Sequence, residues 1–298
     1  MTQAESRAAG TAAAKPAARG LWSDALRRLR RDKLAMIGAV VIVVFALAAI
    51  LAPWIAPFDP NAGELLNARQ PPSAEHIMGT DTQGRDMFSR ILYGARISLT
   101  IGVVAVAMGV IGGAVLGAIA GLFGGWVDSV VMRVVDALLA IPQILLAIGI
   151  ITWLGPGVPQ LLLAISIAYV PVFARLLRGS LLAVRGSDYV IAAQSVGAKR
   201  MRVLLRHMFP NALTPLIVQA TLELGSAIIA VAGLGFLGLG SSDPRTPEWG
   251  AMLTDGRSFL LNAPLLIFFP SLAIVLSVIA FNLVGDGMRR ALDPRTRR

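Results

Sequence analysis

The sequence contains no cysteine and only two histidines, His76 and His207, among its 298 residues. Disulfides and thiolate metal sites are therefore excluded, and two histidines so far apart do not make a histidine metal site. Lysine is also rare, and Lys15, Lys33 and Lys199 all lie outside any phosphate-binding G-x-x-x-x-G-K-S/T pattern. The sequence thus predicts no metal site, no bound cofactor and no nucleotide-hydrolysing loop of that kind. It also has no evident Ser/His/Asp or Cys/His set, so an enzyme is not expected.

Charged residues are scarce as well. They make up 15% of the chain, whereas 56% is hydrophobic and the mean hydropathy is +0.71. These values lie outside the ordinary range of soluble proteins. The sequence therefore predicts an all-α integral membrane protein.

The net charge of +10 reflects orientation in the membrane and does not indicate nucleic acid binding. Segments 1–33, 175–213 and 286–298 together carry 20 basic and 6 acidic residues, while segments 57–97 and 241–262 carry 6 basic and 8 acidic ones. Lys and Arg concentrate on the cytoplasmic side of membrane proteins. The first group of segments is therefore expected in the cytoplasm, together with both termini.

Six apolar stretches divide the chain into transmembrane helices and loops. The predicted spans are 34–56, 98–123, 126–153, 160–173, 216–239 and 265–284. They separate a cytoplasmic tail with an amphipathic helix at 1–33, an outer loop at 57–97, a cytoplasmic loop at 175–213, an outer loop at 241–262 and a cytoplasmic tail at 287–298. A cleaved signal peptide is the alternative for 34–56, but that run exceeds a typical apolar core of a signal peptide.

The cytoplasmic loop contains a basic interruption, Asp188 to Asn211, that predicts a helix, a turn and a second helix. Gly197 can adopt the left-handed conformation that ends the first helix, and Pro210 is expected to stop the second. Helical spacing places apolar and basic side chains on opposite faces of the second helix: Met201, Leu204, Leu205 and Met208 against Lys199, Arg202 and Arg206. Such an element either lies on anionic lipid headgroups or docks a cytosolic partner.

Small residues form a row along the second predicted span. Gly109, Gly113, Gly117 and Gly121 recur every four residues, which allows another helix backbone to approach closely. The row is expected to pack a helix, either within the subunit or across a translocation path. In the third span Arg133 and Asp136 are spaced for a structural ion pair, with a substrate contact as the alternative.

Glu223 is the remaining charged residue of interest, within the predicted fifth span that Thr214 and Pro215 are expected to begin. A carboxylate without a partner there is costly. It is therefore interpreted either as a wall of a water-filled pathway that meets a peptide amine or another cation, or as a hydrogen-bonded contact between helices.

Two sets of motifs resemble one family. Ala192-Ala193, Gly197 and Phe209-Pro210-Asn211 resemble the EAA loop of ABC importer permeases, although Ile191 stands where that loop has its first Glu. The segment 79–96, with Gly79-Thr80-Asp81, Gly84-Arg85-Asp86 and Tyr93-Gly94-Ala95-Arg96, is similar to permeases of dipeptide, oligopeptide and nickel importers. Segments 247–252 and 281–294 resemble the same group.

This resemblance implies a type I importer permease of the MetI-like fold, with a permease core at 98–286 in a bacterial inner membrane. It implies contact with an ATPase through the EAA loop, and the matching positions are Ala192, Ala193, Gly197, Ala198, Lys199, Arg202 and Pro210. The implied partners are a second homologous permease, two ATPase subunits that use the ATP, an extracytoplasmic binding protein and membrane lipid. The implied cargo is a di- or oligopeptide, with nickel or glutathione as alternatives. An autonomous secondary transporter or channel using Glu223, Asp128 and Arg133 is the hypothesis from another class.

Overall fold

The computed structural model describes residues 21–241 and 243–292. The predicted tail at 1–20 and the final residues 293–298 lie outside the described part. Within that part the regular secondary structure is helical and there is no β-strand, which confirms the all-α class. Two isolated backbone bridges tie the loop after the first span: Gly63 to Arg85 and Thr80 to Asp86.

Eleven α-helices, named α1 to α11 in chain order, make up this described part: Leu21–Arg31, Lys33–Ile55, Met87–Phe123, Gly125–Leu139, Gln143–Leu154, Val158–Arg185, Asp188–Ser195, Arg200–Val203, Phe209–Phe236, Trp249–Gly256 and Leu265–Leu292. A π-helical turn, Leu204–Met208, joins α8 to α9. Five helical segments are long and apolar enough to cross a membrane, and the bent pair α4–α5 makes a sixth crossing if it counts as one.

The third predicted span is not one continuous helix. α4 and α5 meet at an angle of 93°, with residues 140–142 between them. Pro142 explains the break, because proline has no N–H to donate and disfavours a helical conformation at the residue before it. A continuous helix over 126–153 is therefore corrected to two shorter ones.

Several helices extend beyond the predicted spans. α6 continues through Pro171 to Arg185, so it includes the first part of the predicted loop at 175–213. α9 begins at Phe209 and runs through Pro215, which does not act as a helix start. The prediction that Pro210 stops the preceding helix is also wrong, since the π-helical turn leads directly into α9.

The glycine row on α3 packs against α6 of the same chain. A Cβ built on Gly113 would lie 2.5 Å from Cβ of Phe173, and one on Gly109 would lie 2.7 Å from Cβ of Tyr169. Gly117 and Gly121 continue the contact along the same helix pair. The close approach of two backbones thus lies within the subunit, and the row holds its central helix pair together.

The two ends of the helix bundle differ in their short helices and in their ion pairs. The end that includes α7, here called the α7 end, also holds the starts of α2 and α9 and the ends of α3, α6 and α11. An ion pair at this end joins helices distant in sequence: Arg290 donates to Asp32 at 2.7 and 2.9 Å. The same carboxylate caps α2, and its hydrogen bonds with Arg290 hold the pKa of Asp32 below its usual value.

The opposite end, here called the α10 end, is closed by the loop before α3 and by α10. Asp81 accepts a hydrogen bond from Arg85 at 2.6 Å and lies 3.3 Å from Arg90, and both arginines are buried. Arg85 also reaches Asp255 of α10 at 3.6 Å and donates to the carbonyl of Pro244 at 3.1 Å. The motif at 79–90 therefore serves as an ionic link between the loop and α10.

Two buried residues fix the start of α10. The Glu248 carboxylate accepts hydrogen bonds from the backbone N–H groups of Gly250 and Ala251 at 2.7 and 3.0 Å. Burial raises the pKa of Glu248 to about 7. Trp249 is fully buried and donates its indole N–H to the carbonyl of Ile91 at 3.2 Å. Trp249 therefore belongs to the protein interior and not to its surface.

Candidate functional site

The predicted helix, turn and helix forms at the α7 end. α7 ends at Ser195, and Gly197 two residues later has a φ of 81°, the left-handed conformation expected there. The Gly197 N–H donates to the carbonyl of Gln194 at 2.9 Å, and the Ala198 N–H donates to that of Ala193 at 3.1 Å. This pair of bonds is the Schellman motif, which ends a helix and reverses the chain.

The second short helix divides its apolar side chains between the protein interior and the surface. Leu204 and Met208 are buried, together with Val203. Met201 and Leu205 are 52% and 59% exposed, so the four residues predicted on one apolar face lie in two different environments. The π-helical turn changes the angular position of each residue and contributes to this division.

Exposed apolar side chains recur along the segment from α7 to the π-helical turn, which is here called the coupling surface. They are Ile191, Val196, Met201 and Leu205, each at least half exposed. Exposed basic side chains lie on the same segment: Lys199, Arg200, Arg202 and Arg206. Exposed apolar side chains accompanied by polar ones are typical of a protein-protein contact.

The other residues singled out from the sequence lie beside this surface in different environments. Ala192 is exposed, whereas Ala193 and Ala198 are partly buried and pack against the hydrophobic core. Pro210 is exposed in the first turn of α9. Its missing N–H accounts for the irregular hydrogen bonding just before it, where the Phe209 N–H reaches back to the carbonyl of Leu204.

The coupling surface is continuous with a membrane-spanning helix. The segment from Arg200 to Phe236 forms a single helical run of 37 residues, with the π-helical turn inside it. Glu223 lies on this run, 15 residues after Met208, or about 22 Å along the axis. A displacement of the coupling surface would therefore be carried directly to the middle of α9.

Glu223 is half-buried and has a neutral partner. Its carboxylate accepts a hydrogen bond from the Gln219 side chain at 2.7 Å, so the prediction that it stands alone is corrected. The described residues form no ion pair with it. Nearby, a cavity of about 180 Å³ between α5, α6 and α9 is lined by Gln143, Tyr169 and Ser226, among others. Several polar side chains therefore line a cavity next to this part of α9.

The two acidic residues of α4 pair with arginines of α6 and not with Arg133 of their own helix. Arg178 binds Asp128 through two hydrogen bonds of 2.6 and 2.5 Å, and Arg175 donates to Asp136. The predicted pair of Arg133 with Asp136 is therefore wrong. Helical spacing allowed that pair, but a neighbouring helix offers Asp136 another guanidinium. The sequence shows the two arginines and the two acids, but their pairing follows from the approach of α6 to α4.

Comparisons with known proteins agree with this architecture. The family model described as the binding-protein-dependent transport system inner membrane component matches residues 113–298. A second model, the N-terminal TM domain of oligopeptide transport permease C, matches residues 20–72. A chain of the MetNI methionine ABC transporter, in an inward-facing conformation, superposes with a TM-score of 0.57 at 21% identity. That match covers 68% of this chain and 96% of the other, and it confirms the MetI-like fold.

Curated relatives are closer in sequence. The dipeptide transport system permease protein DppC of Alkalihalophilus pseudofirmus is 47% identical over 274 residues, covering 92% of this chain and 90% of the relative. The glutathione transport system permease protein GsiD of Escherichia coli is 45% identical over 275 residues, with the same coverage. Both are transport permeases and not enzymes. The protein thus belongs to the inner-membrane permeases of binding-protein-dependent ABC importers.

Proposed function

We propose that this protein is one of two permease subunits that form the translocation pathway of an importer for short peptides. Its relatives at 45–47% identity are named for dipeptide and glutathione transport, and both names denote short peptides. The observation that carries the mechanism is the exposed coupling surface, which is continuous with α9. A glutathione importer is the second candidate, on the strength of the GsiD relative.

The coupling surface is the proposed docking site for one of two ATPase subunits. The other ATPase would dock on the second permease. Apolar Met201 and Leu205 would enter a groove of the ATPase, while Lys199 and Arg202 would contact acidic groups at its rim. Gly197 would fix the angle between α7 and α8, with Ala192, Ala193, Ala198 and Pro210 supporting the same element. ATP would be hydrolysed in those subunits, because this sequence has no phosphate-binding loop of the Walker type.

The proposed orientation places the α7 end in the cytoplasm, together with both termini. The excess of Lys and Arg in 1–33, 175–213 and 286–298 supports this orientation. The α10 end would then face the extracytoplasmic side and receive the binding protein. Closure of the ATPases would move the coupling surface, and α9 would transmit that movement to a cavity between the two permeases.

Within the pathway, Glu223 is the proposed contact for the ammonium group of a peptide. Its single described hydrogen-bond partner is neutral, and its half-buried position leaves a negative charge without a compensating cation. A cationic end of the cargo would provide the compensating positive charge during passage.

Reconstitution tests the proposed function. Proteoliposomes that contain this protein, the second permease, the ATPases and the binding protein should accumulate a labelled dipeptide when ATP is enclosed with the ATPases. Liposomes with this protein alone should not accumulate it under a proton or sodium gradient. Uptake by the single polypeptide under a gradient would instead indicate a secondary transporter.

A further inference from the structure

A groove on the membrane-facing side of the bundle has a charged residue at one end. It lies between α2, α3 and α11, and its volume is about 370 Å³. Its walls are apolar, with Ile42, Ala46 and Ile50 along α2 and Leu99 and Val103 along α3. The three α2 residues recur every four positions, so this wall extends for about 12 Å.

Arg96 is the cation of this groove. Its side chain is exposed, and the described residues offer it no hydrogen bond or ion pair. An unpaired guanidinium among apolar walls within a membrane is costly, so it requires a counter-ion or access to the membrane surface. It belongs to the Tyr93-Gly94-Ala95-Arg96 motif. Neither ATPase docking nor the proposed transport pathway assigns a role to this arginine.

The depth of Arg96 places it near one membrane surface. The backbone N–H of Phe58, just past the end of α2, donates to the Ser89 hydroxyl at 3.2 Å, which marks the α10 end of the groove. Arg96 follows Ser89 by seven residues, or about 10 Å along α3. Helical side chains tilt toward the helix N-terminus, which for α3 is that same end. The guanidinium is therefore directed toward the headgroup level.

We propose that this groove binds one phospholipid from the leaflet at the α10 end. The phosphate pairs with Arg96, and one acyl chain lies along the apolar walls toward Phe281. A charge at the surface end and a mostly apolar channel leading inward match the two parts of a phospholipid. The binding site is a property of this chain and is independent of the cargo.

The position of the charge favours a lipid over a helix of another protein. A helix would have to supply an acidic side chain to Arg96 inside the membrane, whereas a phospholipid has its charge at the headgroup.

The test uses the full chain purified from nanodiscs of phosphatidylglycerol and phosphatidylethanolamine, with retained phospholipid counted by native mass spectrometry. Arg96→Gln removes the cation, and Ala46→Trp fills the groove. Each should lower the lipid-bound fraction by about tenfold, as expected for the loss of one charge-assisted contact or of the space for the chain. Arg96→Lys should retain the lipid.

Matched controls separate the site from general effects. Arg133→Gln removes an exposed arginine on α4, and Leu47→Trp introduces the same side chain at an exposed position of α2 that does not line the groove. Both should retain lipid as the unmodified protein does. Equal retention in Arg96→Gln or Ala46→Trp would overturn the proposal. So would a photo-reactive residue at position 46 that labels a protein and not a phospholipid.

Discussion

Arg178 of α6 holds both carboxylate oxygens of Asp128 on α4, with Nε and Nη2 at 2.6 and 2.5 Å. This two-point contact fixes the first half of a bent helix pair to the central bundle. Arg175 and Asp136 add a second link between the same two helices. α4 has a single fully buried side chain, Val135, among its fifteen residues. Its position therefore depends on these ion pairs more than on packing.

Asp128→Asn should weaken the attachment of α4. The amide cannot form the charge-assisted pair with Arg178, so we expect a loss of about 1–2 kcal/mol, in the range for hydrogen bonds to charged groups at a partly exposed site. Thermal unfolding of the purified protein in detergent measures the change. Arg133→Gln serves as the control and should leave the unfolding temperature unchanged. If both variants unfold alike, the ion pair does not stabilise α4.

Gly113→Ala should separate α3 from α6. The added methyl group would meet Cβ of Phe173 at 2.5 Å and the carbonyl oxygen of Val170 at 2.7 Å, so a backbone must move. We expect a destabilisation of about 1–3 kcal/mol, typical of overpacking. Gly149→Ala on α5 is the matched control because its Cβ has no atom within 4 Å. The control should be neutral or slightly more stable. Equal effects would contradict close packing at the row.

Glu248 should make stability depend on pH. Burial raises its pKa to about 7 in the folded protein, from 4.5 in a solvated chain. The folded state thus holds the proton more tightly, and stability should fall as the pH rises from about 4.5 to about 7. Glu248→Gln removes this titration.

The measurement is the unfolding temperature at pH 5 and pH 8 for both proteins. Asp255, whose pKa is also raised by burial, remains in both, so the difference between the two slopes isolates Glu248. The unmodified protein should lose more stability between these pH values than the variant. The same slope in both proteins would show that Glu248 does not carry the effect.

Glu223→Gln should reduce ATP-driven uptake of a dipeptide with a free amino terminus. The variant keeps a side chain that can bond Gln219 but loses the charge that would meet the ammonium group. Uptake of the same dipeptide with an acetylated amino terminus provides the comparison and should change little. Unchanged uptake of both substrates would remove Glu223 from the pathway.

The sequence predicted the helical class, the membrane location and the turn at Gly197 because each depends on local signals. Hydropathy marked five of the spans, and a glycine followed by a new helical period marked the turn. The break at Pro142 was missed since apolar residues on both sides suggested one span. Pro210 and Pro215 were predicted as helix boundaries, but both lie inside a helical run. Proline is tolerated where a π-helical turn or neighbouring helices compensate for the lost hydrogen bond.

Partners distant in sequence were harder to predict. Spacing within one helix suggested Arg133 for Asp136, but the choice depended on the approach of α6, which no local pattern encodes. The same holds for Trp249, whose burial against α3 requires Gly94 opposite it. Met201 and Leu205 are exposed while Leu204 and Met208 are buried, and this difference likewise depended on the π-helical turn.

The most direct test of the coupling mechanism is co-purification with the ATPase subunits expressed together with this protein. Leu205→Asp places a charge in the coupling surface, and Gly197→Pro cannot adopt the observed φ of 81°. Leu66→Asp, at a 96% exposed position in the loop before α3, is the matched control. We predict that all three variants insert into the membrane and that the control retains the ATPases. In the other two variants the amount of co-purified ATPase should fall at least about tenfold, equivalent to 1.4 kcal/mol or more. Full retention of the ATPases by Leu205→Asp and Gly197→Pro would contradict docking at this surface.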